Sequence, residues 1–451
     1  MLGIPRFSII LIGAILIAVL GARPYASSWN DGGRLATVEA LVDQHTFAID
    51  NSIFVNVPEQ PGLDPYGRDV PSTGGTLDKM LINGHFYSHE SPVGALYMAG
   101  VYWVAQKLTG LTAAQQPHAF VYLMTVASTG LAYVISVICI WFMARRIGLP
   151  EDTSFLVTVS FGLATLAPVY SRQVNSQMLA LGIVAAIFLL VTSKQVRPVL
   201  LGLLVGMTYA IDMGLGPVLI IAVLLYCLFK WRDLKSPLLC VLGMLPFALL
   251  HHWFNYSIGG TIGPAGANAQ YFSYPGSAFS AENMTGVLFR GSVRDLTEWS
   301  LGLLVGSRGF LLYNLPLLLL PFGVIGAWRK FPERRPELLF ALLLCGGTWT
   351  LYSIAANTTG LSASIRWFVP LLAPAFFGLS VMLAARPGLL DQFKVLTAFG
   401  ALLTAVLFWT GPWRNPDPTY FLVLLTLGLA AFAWSLWQRR ATAAMNMPVA
   451  T

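Results

Sequence analysis

Acidic residues are concentrated near the N-terminus, where a carboxylate could serve as a general base. The stretch 23–92 holds nine of the twenty aspartates and glutamates: Asp31, Glu39, Asp43, Asp50, Glu59, Asp64, Asp69, Asp78 and Glu90. Asp31 is the first, three residues before Arg34. A helix that begins here would keep Asp31 ionised, as a base requires, because its N-terminus and the arginine favour the charged form. Ser28-x-x-Asp31 also matches a capping box, so a structural role and a catalytic role are both open.

Basic residues that could bind phosphate stand at the ends of long apolar runs. They are Arg172, Arg308 and Arg366. A guanidinium group donates two parallel hydrogen bonds to phosphate oxygens, which makes these arginines candidate phosphate ligands. Anchoring to lipid headgroups, or pairing with a nearby acid, is the alternative for each. Lys79 is a further candidate for contact with phosphate or substrate, or else a solvated loop lysine.

The cysteines and histidines predict no metal site. All four cysteines lie inside apolar runs: Cys139, Cys227, Cys240 and Cys345. His85 and His89 are four residues apart, but their segment is too rich in glycine and proline for a helix. The neighbours His251 and His252 would point to different sides of a helix, so we expect interfacial histidines or an acceptor contact. A divalent metal is possible, but these patterns do not support one.

The composition excludes a soluble protein. Hydrophobic residues make up 56% of the chain and charged residues only 10%, whereas an average soluble domain has roughly 25% charged residues. Too few charges remain to cover a water-exposed surface. The net charge of +7 comes from basic residues in short loops, which is the pattern of cytoplasmic loops in membrane proteins and does not indicate nucleic acid.

Apolar runs of a length that spans the hydrocarbon core recur along the chain. Since backbone amides in lipid must be paired internally, each run predicts a helix. The predicted fold is therefore all-α, a polytopic bundle of about twelve spans in a single transmembrane domain over 1–451. The candidate spans are 7–22, 118–143, 153–170, 176–193, 198–211, 214–230, 236–255, 309–328, 337–356, 365–385, 393–410 and 418–437.

The basic clusters give these spans an orientation. Successive clusters are separated by two spans each, which places both termini in the cytoplasm; the clusters are Arg145/Arg146, Lys194/Arg197, Lys230/Arg232/Lys235, Arg329/Lys330/Arg334/Arg335, Arg386/Lys394 and Arg439/Arg440. Two long outer segments result, 23–117 and 256–308. We expect the first to carry surface helices, one beginning near Asp31 and an amphipathic one over 93–108.

The residues after the first span resemble those of a known class of enzyme. Polytopic lipid-sugar glycosyltransferases of the GT-C class, such as the protein O-mannosyltransferases and the lipid A aminoarabinose transferases, carry an Asp-Glu-x-Arg-Tyr-Ala-like sequence here. Asp31, Arg34 and Ala36 match this sequence, while Gly32 and Leu35 differ.

A second motif of these families closes the same outer loop. It reads aromatic-x-x-Lys-Pro-Pro; Tyr87 and Pro92 match it, while Glu90 replaces the lysine and Ser91 the first proline. The families also carry an acidic residue on the next outer loop, where this chain has Asn175.

The resemblance implies transfer of a sugar from a polyprenyl-phosphate carrier to a lipid, glycan or protein acceptor. The reaction would take place on the outer face of what we expect to be a bacterial inner membrane. Phosphate is already a good leaving group, so a single carboxylate, Asp31, would act as the base. The residues expected to bind the donor phosphate or substrate are Arg34, Lys79, Tyr87, Arg172, Arg308 and Arg366.

Two other functions remain open. A transporter or flippase of a lipid-linked substrate would need charged residues well inside the spans, and the sequence has almost none. A GT-C-like protein without catalysis, which binds or assembles other components, is compatible with Gly32, Glu90 and Asn175.

Overall fold

The computed structural model describes residues 5–55, 76–277, 279, 292–355, 362–413 and 418–445. It is almost entirely helical, as predicted. Its α-helices are α1 Arg6–Gly21, α2 Trp29–Glu39, α3 Pro92–Thr109, α4 Pro117–Thr125, α5 Leu131–Ile147, α6 Glu151–Leu163, α7 Ala167–Tyr170, α8 Ser176–Val191, α9 Pro198–Ile211, α10 Gly216–Trp231, α11 Lys235–Gly259, α12 Val293–Val305, α13 Val324–Lys330, α14 Arg335–Ala355, α15 Leu372–Ala385, α16 Leu390–Thr410 and α17 Pro418–Met445.

Many of these helices are suited to a bilayer. Within the described ranges, six helical stretches are long and apolar enough to cross a membrane: Pro117–Ile147, Lys235–Gly259, Pro332–Ala355, Arg366–Ala385, Pro387–Thr410 and Thr419–Arg439. Four shorter apolar helices, α1, α8, α9 and α10, accompany them. The chain is therefore an integral, multi-pass membrane protein, while the number twelve remains a prediction.

Two predicted spans are broken by a sharp bend or by a gap between helices. In place of 309–328, the 3-10 helices Phe310–Tyr313 and Leu315–Phe322 precede α13, and the chain bends by 111° between Val293–Tyr313 and Leu315–Phe322. Pro316 and Pro321 account for this break, because proline cannot donate the amide bond of a regular helix. The span 153–170 is interrupted between α6 and α7, where the side chain of Asn314 accepts the Leu166 amide at 2.9 Å.

Helix α2 begins as the sequence predicts, but it does not lie on a surface. Ser28 and Asp31 form the predicted capping box. Residues Asn30–Glu39 are all buried, because α3 and α4 cover the apolar side of the helix with residues such as Met98 and Phe120. Helix α2 is thus packed into the protein, and its predicted surface position is wrong. Helix α3, in contrast, exposes the apolar side chains of Tyr97, Trp103, Val104 and Leu108.

A β-hairpin packs against α2. Strands β1 Lys79–Ile82 and β2 His85–Ser88 pair antiparallel through a turn at Asn83-Gly84, where both residues have positive φ. Such a turn favours Asn-Gly because these residues tolerate left-handed backbone. A Cβ at Gly33 would lie only 3.1 Å from the Ser88 side chain, so glycine allows the hairpin to approach α2. The hairpin was not predicted.

Glycines also bring α9 and α11 together. A Cβ at Gly206 would lie 2.6 Å from the backbone oxygen of Met244. Small residues at helix contacts let backbones approach closely, which is a common way to join helices in lipid. This contact fixes the ends of α9 and α11, which lead to Asp212 and His251.

Candidate active site

An ion pair between α2 and the end of the hairpin forms the centre of the site. Arg34 Nη2 lies 2.6 Å from Glu90 Oε2 and also donates to Ser176 Oγ at 3.0 Å. Arg34 Nη1 donates to the backbone oxygen of Asn30 at 2.9 Å, and the Asn30 amide donates to Glu90. We call Asn30, Arg34 and Glu90 the Arg34–Glu90 cluster. Through the hydrogen bond from Arg34 to Ser176, the cluster and α8 join three parts of the chain that are far apart in sequence.

Asp78 and His89 extend this cluster. His89 Nδ1 lies 3.3 Å from Asp78 Oδ1, and Asn30 Nδ2 lies 3.4 Å from Asp78 Oδ2. The possible ligand atoms of Asp78, His89 and Glu90 all lie within 4.8 Å of one another, so these three residues could hold a metal ion. Arg34 balances the charge of Glu90, and the neutral amide of Asn30 donates hydrogen bonds to both Glu90 and Asp78.

The surroundings keep Glu90 charged. Burial alone would raise its pKa, but the charges of Arg34, His89 and Arg366, with the Asn30 hydrogen bond, outweigh burial and hold the pKa of Glu90 below its ordinary value. Asp212, at the start of the turn between α9 and α10, behaves in the opposite way. Burial raises the pKa of Asp212, amide hydrogen bonds from Leu215 and Gly214 oppose the rise, and the Glu90 charge adds to it.

Asp31 lies outside this cluster. Its carboxylate accepts the Ser28 amide at 2.7 Å, the Ser27 amide at 2.9 Å and the Ser28 hydroxyl. Burial raises the pKa of Asp31, and these hydrogen bonds oppose the rise without cancelling it. The expectation that Arg34 favours the charged form of Asp31 is wrong, since Arg34 pairs with Glu90 and burial raises the pKa of Asp31. The catalytic role of Asp31 stays a prediction.

Arg366 faces the same region from the far end of the chain. Its guanidinium carbon lies 5.8 Å from the Trp367 ring centroid and 5.7 Å from that of Trp413. Its charge acts on Glu90, which places Arg366 within electrostatic reach of the Arg34–Glu90 cluster. The Arg308 backbone oxygen accepts the Ser364 hydroxyl at 3.0 Å, so the Arg308 segment lies beside that of Arg366.

Arg172 occupies another position. It donates from Nε to the Gly21 backbone oxygen at 2.8 Å, and its guanidinium carbon lies 4.4 Å from the Phe408 ring centroid. These contacts join the end of α1 to α16, which is a structural role.

The remaining predicted residues are on the hairpin and are not in the Arg34–Glu90 cluster. Lys79 Nζ lies 4.4 Å from the Phe86 ring centroid. Tyr87 pairs with Met80 across the hairpin and packs against residues of the second outer segment. Neither contact indicates phosphate binding.

Asn175 has a structural explanation. Its side chain caps α8 by accepting the Met178 amide at 2.8 Å and donates to the backbone oxygens of Tyr170 and Gln173 at 2.8 and 2.7 Å. A carboxylate could not make the two donor contacts.

The two histidines of α11 have different hydrogen-bond partners. His251 Nδ1 lies 3.2 Å from Ser91 Oγ, and His252 Nε2 lies 3.0 Å from the Tyr209 hydroxyl. Their ring centroids are nevertheless only 5.3 Å apart, and both rings contact that of Tyr209.

Sequence reasoning missed the meeting of Asp78, Glu90 and Asn30. A signal was present: Asn83-Gly84 predicts a tight hairpin, and a tight hairpin brings the residues before its first strand next to those after its second. That pairing alone would have placed Asp78 beside His89 and Glu90.

One solved membrane protein, seen in two crystal structures, has a similar architecture. ArnT from Cupriavidus metallidurans, a lipid A aminoarabinose transferase, aligns with 94% of this chain and 75% of its own chain in a crystal structure bound to undecaprenyl phosphate, with a TM-score of 0.50 and 13% identity. Its apo structure gives the same coverage at 14% identity. The Archaeoglobus fulgidus oligosaccharyltransferase aligns with 95% of this chain, with a TM-score of 0.41 and 13% identity. This chain spans only about half of that enzyme, 54% of its length.

No protein-family model matches the sequence, and no curated protein matches it either. The likeness therefore concerns the fold. At that level the expected resemblance is confirmed: this chain is a multi-pass membrane protein with the architecture of the GT-C glycosyltransferase ArnT.

Proposed function

We propose that this protein is a membrane glycosyltransferase that moves a sugar from a polyprenyl-phosphate carrier to an acceptor. One observation carries the proposal: the carboxylate of Glu90 is paired with Arg34 at 2.6 Å and also lies in the field of Arg366, and these charges hold its pKa below the ordinary value despite burial. The shared fold with ArnT, whose structure holds undecaprenyl phosphate, supports it. The sugar and the chemical nature of the acceptor remain to be identified.

The reaction needs few groups from the protein. The bond between the sugar's anomeric carbon and the carrier phosphate breaks, and the acceptor oxygen forms a new bond to that carbon. The acceptor proton passes to a carboxylate, and the carrier phosphate leaves with the bonding electrons. Cations stabilise the charge that develops on the phosphate. Arg366 and Arg308 are suited to that role in this proposal, while Arg34 orients Glu90.

Glu90 is the proton acceptor that the geometry favours. It is kept charged by Arg34 and lies in the field of Arg366. Asp31 is the rival: its raised pKa would suit a base, but its hydrogen bonds come from Ser27 and Ser28 of its own turn, and no cation from a distant segment acts on it among the causes of its pKa shift. In our proposal Asp31 instead holds the first turn of α2, from which Asn30 and Arg34 extend.

A transfer assay tests the proposed activity. Purified protein in lipid nanodiscs, supplied with a polyprenyl-phosphate-linked sugar and an envelope lipid extract as acceptor, should release free polyprenyl phosphate. Arg366→Gln protein should release much less. A parent protein that binds the donor and releases nothing, with every extract tried, would favour the alternative of a GT-C-like binding protein.

The proposed outer position of the site has its own test. A cysteine introduced at Gln270 should react with an impermeant thiol reagent in intact cells, and one at Glu333 should react only after permeabilisation. Cys139, Cys227 and Cys240 are buried, but Cys345 is only partly buried, so labelling of the parent protein serves as the background control. Reaction at 333 in intact cells would reverse the orientation. The equivalent position 60 lies outside the described residues.

A further inference from the structure

Three hydrogen-bond donors lie buried near the proposed site without a hydrogen bond to any described residue. They are Nε of Arg366, the hydroxyl of Tyr170 and the indole N–H of Trp413. Buried donors in native proteins are nearly always paired with protein, water or a ligand, and an unpaired one is destabilising. We call these three residues the donor trio. Their shared lack of partners requires an explanation.

The members of the donor trio are in contact with each other. The rings of Tyr170 and Trp413 meet edge to face with centroids 6.0 Å apart. The Arg366 guanidinium carbon lies 5.7 Å from the Trp413 ring centroid, and its charge acts on the Tyr170 hydroxyl. Ser362 is the polar neighbour of that hydroxyl and donates its own proton to the Ser364 backbone oxygen at 2.5 Å, but the Tyr170 hydroxyl makes no hydrogen bond of good geometry with it. The trio therefore forms one group contributed by three separate segments.

Aromatic rings surround the Arg366 guanidinium group. Its guanidinium carbon lies 5.8 Å from the ring centroid of Trp367 and 5.7 Å from that of Trp413. Trp367 is in turn stacked on Tyr352, with centroids 4.6 Å apart and planes inclined by 7°. Cation–π contacts with the indoles favour the charged guanidinium group at this position and do not use its hydrogen-bond donors.

The chemistry of the donors selects the ligand. The N–H groups of arginine and tryptophan can donate but cannot accept, so their partner must be an acceptor. The charge of Arg366 favours an anion. Glu90, the nearby carboxylate, is already paired with Arg34 at 2.6 Å. A phosphate group offers several charged acceptor oxygens, as many as three separate donors require.

We propose that Tyr170 and Trp413 complete, together with Arg366, a binding site for the phosphate group of the lipid carrier. The inference rests on the proposed function, which supplies the carrier, and adds two neutral donors that no motif of the sequence indicates. Tyr170 and Trp413 bind and position the phosphate; they take no part in proton transfer.

The test is a binding measurement on Tyr170→Phe and Trp413→Phe. Each substitution keeps an aromatic ring and removes one donor. Binding of undecaprenyl phosphate and of inorganic phosphate should be measured on the full-length protein in nanodiscs. We expect undecaprenyl phosphate to bind ~10-fold or more weakly to each variant, the range for a lost hydrogen bond to a charged group. Without ligand, the thermal midpoint of each variant should be equal to or above that of the parent, because an unpaired buried donor is gone.

Matched controls exist within the chain. Tyr226 also has a buried hydroxyl without a described hydrogen bond, but it lies towards the other end of α10 from Asp212. Trp349 donates its indole N–H to the Ser300 backbone oxygen at 2.8 Å. Tyr226→Phe and Trp349→Phe should leave phosphate binding unchanged.

The outcomes separate this inference from the proposed function. Loss of affinity for both ligands in the two variants supports a site for phosphate itself, and loss for undecaprenyl phosphate alone supports a site for the lipid-borne group. Parent protein that binds the lipid phosphate while both variants bind it equally well overturns the inference alone, since water would then satisfy the donors. Parent protein that binds neither ligand overturns the proposed function with it.

Discussion

Asp31 and Glu90 are two carboxylates beside the same helix, and their partners are of different kinds. Asp31 accepts hydrogen bonds from Ser28 and Ser27, which precede it by three and four residues. Glu90 is bound by Arg34 and Asn30, about sixty residues earlier in the chain, and lies in the field of Arg366. The donors of Asp31 lie in its own turn, so its hydrogen bonds are accounted for by the start of α2. The second is held by cations from distant segments, as expected for a group that acts on a ligand.

The pKa values of the two carboxylates are also shifted in opposite directions. Burial dominates at Asp31 and raises its pKa, whereas cations dominate at Glu90 and lower its pKa. A low pKa maintained despite burial requires positive charge from elsewhere in the fold. That positive charge is also what a departing phosphate needs. A carboxylate's function is therefore better predicted by which segments supply its partners than by its position after the first span.

Amide substitutions at the two carboxylates should give the largest difference in turnover between variants. Glu90→Gln cannot accept a proton, so we expect turnover to fall by ~10² or more, within the usual range for general-base catalysis. Asp31→Asn retains part of the cap and should transfer sugar at near the parent rate, with a loss of about 0.5–2 kcal/mol in the free energy of unfolding. Single-turnover rates at saturating donor, together with thermal midpoints, measure both.

The reverse result would identify Asp31 as the base. If Asp31→Asn loses transfer while its thermal midpoint and donor affinity match the parent, the interpretation from sequence position is right and our reassignment to Glu90 is wrong. Donor affinity also serves as the control for Glu90→Gln, because Arg34 is left without its counter-charge in that variant.

The sequence predicted the general architecture better than the site. Composition and apolar runs predict a multi-pass helical protein because lipid imposes the length of each helix and the pairing of its backbone. The capping box at Ser28 was visible because it is local. Two contacts of the site depend on how distant segments pack: the pairing of Arg34 with Glu90, and the contact between Arg366 and the Trp413 ring. Residue spacing along the chain does not specify this packing.

The pH dependence of stability should separate the two carboxylates by its sign. A lowered pKa means that Glu90 stabilises the folded protein above the unfolded value of about 4.3, and that this contribution is lost as the pH falls through the folded pKa. Asp31, with a raised pKa, favours the folded protein at low pH, and that contribution is lost as the pH rises through its folded pKa.

Amide variants convert these signs into measurable slopes. Thermal midpoints of parent, Glu90→Gln and Asp31→Asn protein should be recorded between about pH 2 and pH 7, a range that includes the unfolded carboxyl pKa values of about 4 and extends below them towards the lowered pKa of Glu90. The deficit of Glu90→Gln relative to parent should shrink as the pH falls, and that of Asp31→Asn should grow. Parallel slopes for the two variants would show that the carboxylates have similar environments.

Lys79 provides the smallest expected effect, and it tests whether the site ends at the Arg34–Glu90 cluster. Its ammonium group lies over the Phe86 ring at 4.4 Å, and burial lowers the pKa of Lys79 while the charge of Asp50 opposes the change. Lys79→Met keeps the length of the side chain and removes the charge. The cation–π contact is worth roughly 0.5–1 kcal/mol at an exposed position, so we expect a loss of about that size in the free energy of unfolding.

Donor affinity and turnover should stay at parent levels, because Lys79 makes no contact with Arg34, Glu90 or Arg366 among the described interactions. A marked loss of donor affinity at unchanged thermal stability would mean that the phosphate extends to the hairpin, and that charge rather than distant packing places the donor.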